Sequence, residues 1–187
     1  MLRLFYRLLL FMRDENKSIQ LRTECAVVLG SLAKGTNENI HTIIQEGSFP
    51  VLVQGTLILI FFCICYPFIF IYVGLTCPPY ILGINEPYLQ YVEACLRCLR
   101  TLLTSSVACK GMLYEEASVI PLMIQIMSHS HSTQESITSI LAECCQTVDQ
   151  QAMLCYHGAI DALVPLLLEN IPKVLIYLII CISGKDR

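Results

Sequence analysis

Eleven cysteines are the residues in this chain with the most chemistry to offer. Cys95-Leu96-Arg97-Cys98 forms a CxxC pair, and Cys63 with Cys65 forms a CxC pair. Thiolates at such spacings hold zinc when a second pair completes the tetrahedron. The available second set is Cys144 and Cys145 with His129 and His131, and these fall on predicted elements other than the one carrying Cys95. No metal site is therefore expected. The thiols read as packing groups, since a reduced cysteine behaves as a small apolar side chain and is among the most buried residue types. A nucleophilic cysteine served by His41 or His157 has no local support. The sequence contains no phosphate-cradling glycine motif, no HExxH and no GxSxG. Neither catalysis, nor a cofactor, nor a small-molecule substrate is expected.

The elements behind these residues are unevenly composed. The chain has 187 residues, 55% of them apolar and only 14% charged, with a net charge of -3. That is long enough for one domain with a real core, but greasier than an ordinary soluble domain. The excess sits in Gln54 to Pro87 and in Val174 to Ser183, and the remainder reads as soluble helical sequence. No run of Lys or Arg makes a basic patch, so nucleic acid is not expected as a partner. A disulfide framework belongs to shorter, loop-rich secreted chains. The opening "MLRLFYRLLLFM" has the basic and apolar parts of a signal peptide, but Arg7 interrupts it and "RDENKS" follows without a small-residue cleavage site. Secretion is not expected, and the sequon at Asn16 would matter only if it occurred.

A repeat runs through the soluble part. "NIHTIIQEGSFPVLVQG", "GMLYEEASVIPLMIQIM" and "QQAMLCYHGAIDALVPLL" each contain a short amphipathic helix, a break and an apolar helix. Gly47 and Gly158 stand at two of the breaks, where a residue without Cβ turns the chain sharply. Pro50 and Pro121 stand where a first helical turn tolerates a missing N–H. Longer amphipathic runs lie between: "IQLRTECAVVLGSLAKG", "LQYVEACLRCLRTLLTS" and "TQESITSILAECCQ". In the first of these, Leu21, Cys25, Val28, Leu29 and Leu32 form the face expected to be buried. A short helix, a second helix and a longer third is the layout of an armadillo repeat, with a period of about 40 to 47 residues. The expected fold is an all-α solenoid of about three to four partial repeats.

The period isolates the apolar stretch. Pro121 and its counterpart Asp161 are 40 positions apart, whereas Pro50 and Pro121 are 71 apart, an excess of 31. Thr56 to Pro87 is 32 residues, and removing it restores the register. The expected organisation is therefore repeats over 1–55, an apolar insert over 56–87, repeats again over 88–174, and an aberrant apolar tail over 175–187. Leu57 to Leu75 is close to the roughly 20 residues that span hydrocarbon, but no Lys or Arg lies between Lys34 and Arg97 to orient a span. The insert and tail read as translated intervening sequence. The alternative is a membrane-anchored protein with a single span over residues 56–76, and a membrane partner is expected only on that alternative.

The helical runs "RLLLFMRDENKSIQLRTECAVVLGSLAKGTNENI", "VEACLRCLRTLLTS" and "ASVIPLMIQIMSHSHSTQE" resemble the N-terminal repeats of the armadillo repeat-containing protein 8 family. The resemblance covers about Arg7 to Gly55 and Tyr88 to Val174. It implies a non-catalytic scaffold in the CTLH (GID) ubiquitin-ligase complex, the other subunits of that complex as partners, a role in proteasomal degradation, and residence in nucleus and cytoplasm. The sequence departs from the family in the insert, the tail and the further repeats it lacks.

Armadillo stacks line a groove with their third helices, and nuclear-import readers of extended peptides use recurring Trp and Asn there. This chain has no Trp, and the Asn positions hold Ser31 and Thr101. That type of groove is not expected. The partner-binding candidates are Val27, Ser31, Arg97, Thr101, Ser139 and Glu143. A last repeat without its third helix is expected to make the chain sticky.

Overall fold

The computed structural model describes residues 2–60, 86–115, 118–127 and 129–168. These form helices α1 (Leu2–Arg13), α2 (Ile19–Ala33), α3 (Asn37–Gln45), α4 (Ser48–Ile60), α5 (Glu86–Ser105), α6 (Val107–Glu115), α7 (Val119–Ile126), α8 (His131–Glu143), α9 (Val148–Tyr156) and α10 (Ala159–Leu168). No strand occurs among the described residues. In chain order α3, α4 and α5 repeat the short–second–long pattern, as do α6, α7 and α8, while α9 and α10 supply its first two members.

Local chemistry fixes the helix limits. Ser18, Thr36, Ser130 and Thr147 cap α2, α3, α8 and α9, each hydroxyl accepting from the backbone N–H three residues on. Thr147 and Gln150 cap reciprocally, the Gln150 side chain accepting from the Thr147 N–H at 3.1 Å. Such a cap contributes about 1 kcal/mol. Gly47 and Gly158 hold φ of 76° and 79° in the turns α3–α4 and α9–α10, the left-handed conformation that a side chain would strain. Pro50 and Pro121 occupy the third positions of α4 and α7, inside the first turn, where the absent N–H breaks no helical bond.

The chain divides into two compact units, Met1–Leu99 and Arg100–Arg187. In the first, α1 packs on α2 and α4, and α3 packs on α2 and α4. Phe5, Leu9, Met12, Leu29, Ile43, Leu52, Tyr91, Leu96 and Leu99 are wholly or almost wholly buried. α1 is thus a helix of the array, as its anchored Phe5, Leu9 and Met12 require. In the second unit α6 packs on α7, α7 on α8, and α9 on α10, around Leu113, Met123, Ile126, Ile137, Ile140 and Leu141.

One expectation needs correction. Leu21 and Val28 were placed on the buried face of α2, yet they are 40% and 41% exposed, while Cys25, Ala26, Leu29 and Ala33 are buried. At 100° per residue the inward stripe runs through 22, 25, 26, 29 and 33. Gly30, beside it, faces α5: a Cβ there would stand 3.4 Å from the Cys98 Cβ. α4 runs on past Gly55 to Ile60. Residues 61–85 and 169–187 lie outside the described residues, and with them most of the expected insert, span and tail. Among the described residues no helix is long and apolar enough to cross a membrane.

α4 and α5 meet where Gly55 faces Cys95 and Tyr91. A Cβ on Gly55 would stand 2.7 Å from the Cys95 Sγ and 3.1 Å from the Tyr91 Oη, closer than real contacts allow. Gly55→Ala is expected to lower stability to chemical denaturation by about 1–3 kcal/mol, despite the roughly 1 kcal/mol that alanine gains over glycine inside a helix. Adding Cys95→Ala should recover part of that loss, and the double-mutant cycle measures the coupling.

Candidate interaction surface

The outward face of α2 begins as a helix problem. With one stripe buried, the opposite side presents Leu21, Glu24, Val27, Val28 and Ser31 to solvent. Val27 is 43% exposed. Ser31 donates its hydroxyl proton to the Val27 carbonyl at 3.0 Å, which keeps the proton on the helix and turns oxygen lone pairs outward. On α5, Glu93, Arg97 and Thr101 follow at intervals of four, so they share one stripe. Arg97 is exposed and donates through Nε to the Glu93 carbonyl at 3.2 Å; Thr101 is half-buried. Val27, Ser31 and Arg97 thus lie on the third helices of the first unit.

In the second unit Glu135, Ser139 and Glu143 form the corresponding stripe of α8. Its two carboxylates are engaged. Arg100 Nη1 lies 3.4 Å from Glu135 Oε1, and Lys110 Nζ lies 2.8 Å from Glu143 Oε2. Arg100 and Lys110 therefore fasten α8 to α5 and α6. The Lys110–Glu143 bond is the better shielded, with the lysine side chain only 15% exposed, whereas the other pair is open enough to water to contribute little. Tyr114 adds a neutral tie, donating its hydroxyl to the Cys144 carbonyl as α8 ends.

The residue that sequence reasoning missed is Arg22. Its Nε donates to the Met12 carbonyl at 2.9 Å, satisfying a carbonyl in the last turn of α1. Its guanidinium carbon lies 4.8 Å from the centroid of the buried Tyr91 ring, a cation–π arrangement. The signal was available, since Arg22 occupies a position of the buried α2 stripe, where a charge needs partners.

Cys95, Cys98, Cys144 and Cys145 are packing groups in this setting, whereas Cys63 and Cys65 lie outside the described residues. Cys95 and Cys98 are buried in the first unit, Cys144 and Cys145 in the second, and Cys155 is exposed. Among the described residues no group of three or more His, Cys, Asp or Glu side chains is arranged to hold a metal ion. Burial pushes the Cys95 and Cys144 thiols up to about 12, against lesser lowering by the hydroxyls of Tyr91 and Tyr114. Burial likewise raises the Tyr91 phenol. Such thiols stay protonated and unreactive at neutral pH.

No protein-family model matches the chain. Among curated proteins it is 37% identical over 177 residues to armadillo repeat-containing protein 8 of Mus musculus, and 39% identical over 177 residues to that of Danio rerio. Each match covers 95% of this chain and 22% of the relative, so the chain spans a little over a fifth of the proteins it matches. Among solved structures it is similar to a designed armadillo repeat protein (TM-score 0.68, 15% identity, 96% of this chain and 63% of that one). It is also similar to a designed armadillo repeat protein in complex with the peptide (KR)4 (TM-score 0.67, 15% identity, 96% and 63%). The fold is the armadillo solenoid.

The raised thiols give a pH dependence. Cys95 and Cys144 ionise near the ordinary 9.0 when unfolded and only near 12 when folded, so above pH 9 the unfolded chain holds fewer protons. The contribution of these thiols to stability should be full below pH 9 and be lost as pH rises from 9 to 12, as measured by denaturant titration; Cys95→Ala should flatten part of that fall.

Proposed function

The chain belongs to the armadillo repeat-containing protein 8 family, and from that premise we propose that it is a non-catalytic interaction scaffold acting in a CTLH-type ubiquitin-ligase complex. Its partners are the other subunits of that complex, its process is proteasome-dependent protein degradation, and its place is nucleus and cytoplasm. Repeats of this kind present surface: each repeat buries one face against its neighbours and leaves the other for partners. The observation that carries the reading is the outward strip of α2, where Leu21, Val27 and Val28 are each about two-fifths exposed while Cys25, Ala26, Leu29 and Ala33 are buried. Apolar residues with one acid, Glu24, suit a largely apolar segment of a protein partner. The designed relative solved with (KR)4 is bound to a wholly basic peptide, and one carboxylate on the α2 strip gives such a peptide little to neutralise.

Affinity capture with the full chain in cell lysate should retain CTLH subunits. Val27→Asp with Val28→Asp should reduce that capture at least about tenfold, by placing charges in a desolvated contact, while leaving the midpoint of thermal unfolding nearly unchanged because both positions face water. Equal capture by the parent and the substituted chain would remove the α2 strip from the interface. Failure of the parent to retain any CTLH subunit would overturn the scaffold assignment itself.

A further inference from the structure

Among the described residues of the second unit, Arg100 and Lys110 are the only Lys or Arg side chains. Both go to one helix. Arg100 Nη1 lies 3.4 Å from Glu135 Oε1, and Lys110 Nζ lies 2.8 Å from Glu143 Oε2. The other described acids of the unit are placed differently: Asp149 and Asp161 stand in the first turns of α9 and α10, where the helix end itself favours a carboxylate, and Glu115 closes α6. His131, Glu135, Ser139 and Glu143 follow at intervals of four along one stripe of α8. Its two carboxylates are about 12 Å apart along the helix, close to the span of bases four residues apart on an extended chain. With the two cations in place, that stripe is neutralised.

We propose that Arg100 and Lys110 set the specificity of this surface: by holding both α8 carboxylates they turn away Lys- and Arg-rich segments and leave the stripe to segments without a basic run. The proposal rests on the reading of the chain as an interaction scaffold. Stability alone does not account for both pairs. The Arg100 and Glu135 side chains are 30% and 31% exposed, and a pair so open to water contributes little to folding. Its larger effect is on the potential that an approaching segment meets. Specificity is a difference between partners, and neutralising an acidic stripe from within lowers affinity for basic segments without lowering it for uncharged ones.

The probe is the peptide (KR)4, solved in complex with a designed armadillo repeat protein, labelled and titrated with the purified full chain by fluorescence anisotropy. Arg100→Met with Lys110→Met should raise its affinity at least about tenfold over the parent, and the gain should shrink as salt is added. Adding Glu135→Gln with Glu143→Gln should abolish the gain. Lys17→Met with Lys34→Met removes two charges from the first unit instead and should change affinity by less than about twofold, which separates a local effect from one of net charge. If losing the better shielded Lys110 unsettles the fold, seen in the thermal midpoint, Arg100→Met alone should still give a gain of at least about threefold. The proposal is overturned if the parent binds (KR)4 as tightly as the doubly substituted chain, if the gain survives the glutamines, or if the first-unit substitutions reproduce it. Capture of CTLH subunits is read separately, so failure of the scaffold reading and failure of this one are distinguishable.

Discussion

The absence of one methyl group at position 55 governs the first unit. α4 and α5 approach until Gly55 has no room for a Cβ beside the Cys95 sulfur and the Tyr91 ring. Tyr91 stands beneath the Arg22 guanidinium, and Cys98 against Gly30 of α2. Glu93 and Arg97 lie on another stripe of α5, the first half-buried and the second exposed. The same packing leaves the thiol of Cys95 without water, which is why a CxxC motif here is a spacer of suitable size and no reactive centre. Close helix packing thus decides both what is hidden and what is offered.

Much of this was legible in the sequence, and the reasons are local. Glycines at 47 and 158 and prolines at 50 and 121 announced turns and first helical turns because only those conformations suit them. The third-helix candidates Val27, Ser31, Arg97, Thr101, Ser139 and Glu143 were placed on α2, α5 and α8 by a periodicity that burial enforces. Less legible was the direction of the α2 stripe. Large apolar residues are ordinarily assigned inward, but α2 buries Cys25, Ala26, Leu29 and Ala33 and exposes Leu21 and Val28. Hydrophobicity alone does not tell which of two apolar stripes a helix turns to its neighbours. Nor did it reveal that Glu143, a binding candidate, is ion-paired with Lys110 from another helix.

The two units hold their third helices by different means. α5 is seated in the first unit by contact between small groups and one stacked arginine, whereas α8 in the second is fastened by two ion pairs and by the Tyr114 hydroxyl. The first arrangement depends on shape and is insensitive to salt. The second uses charges partly open to water, where screening weakens them. A single repeat plan therefore accommodates two kinds of adhesive chemistry without changing its helix order.

Arg22 has a consequence for how the array comes apart. A repeat protein is often treated as a row of units, each with its own stability and a term for each junction. One side chain here reaches from α2 to the last turn of α1 and to the ring of Tyr91 on α5, so a junction term is concentrated in a single guanidinium. Peeling α1 away would leave that charge half-solvated above Tyr91, and loosening α5 would leave it without its ring. Through this one side chain, the loss of α1 and the loosening of α5 are coupled.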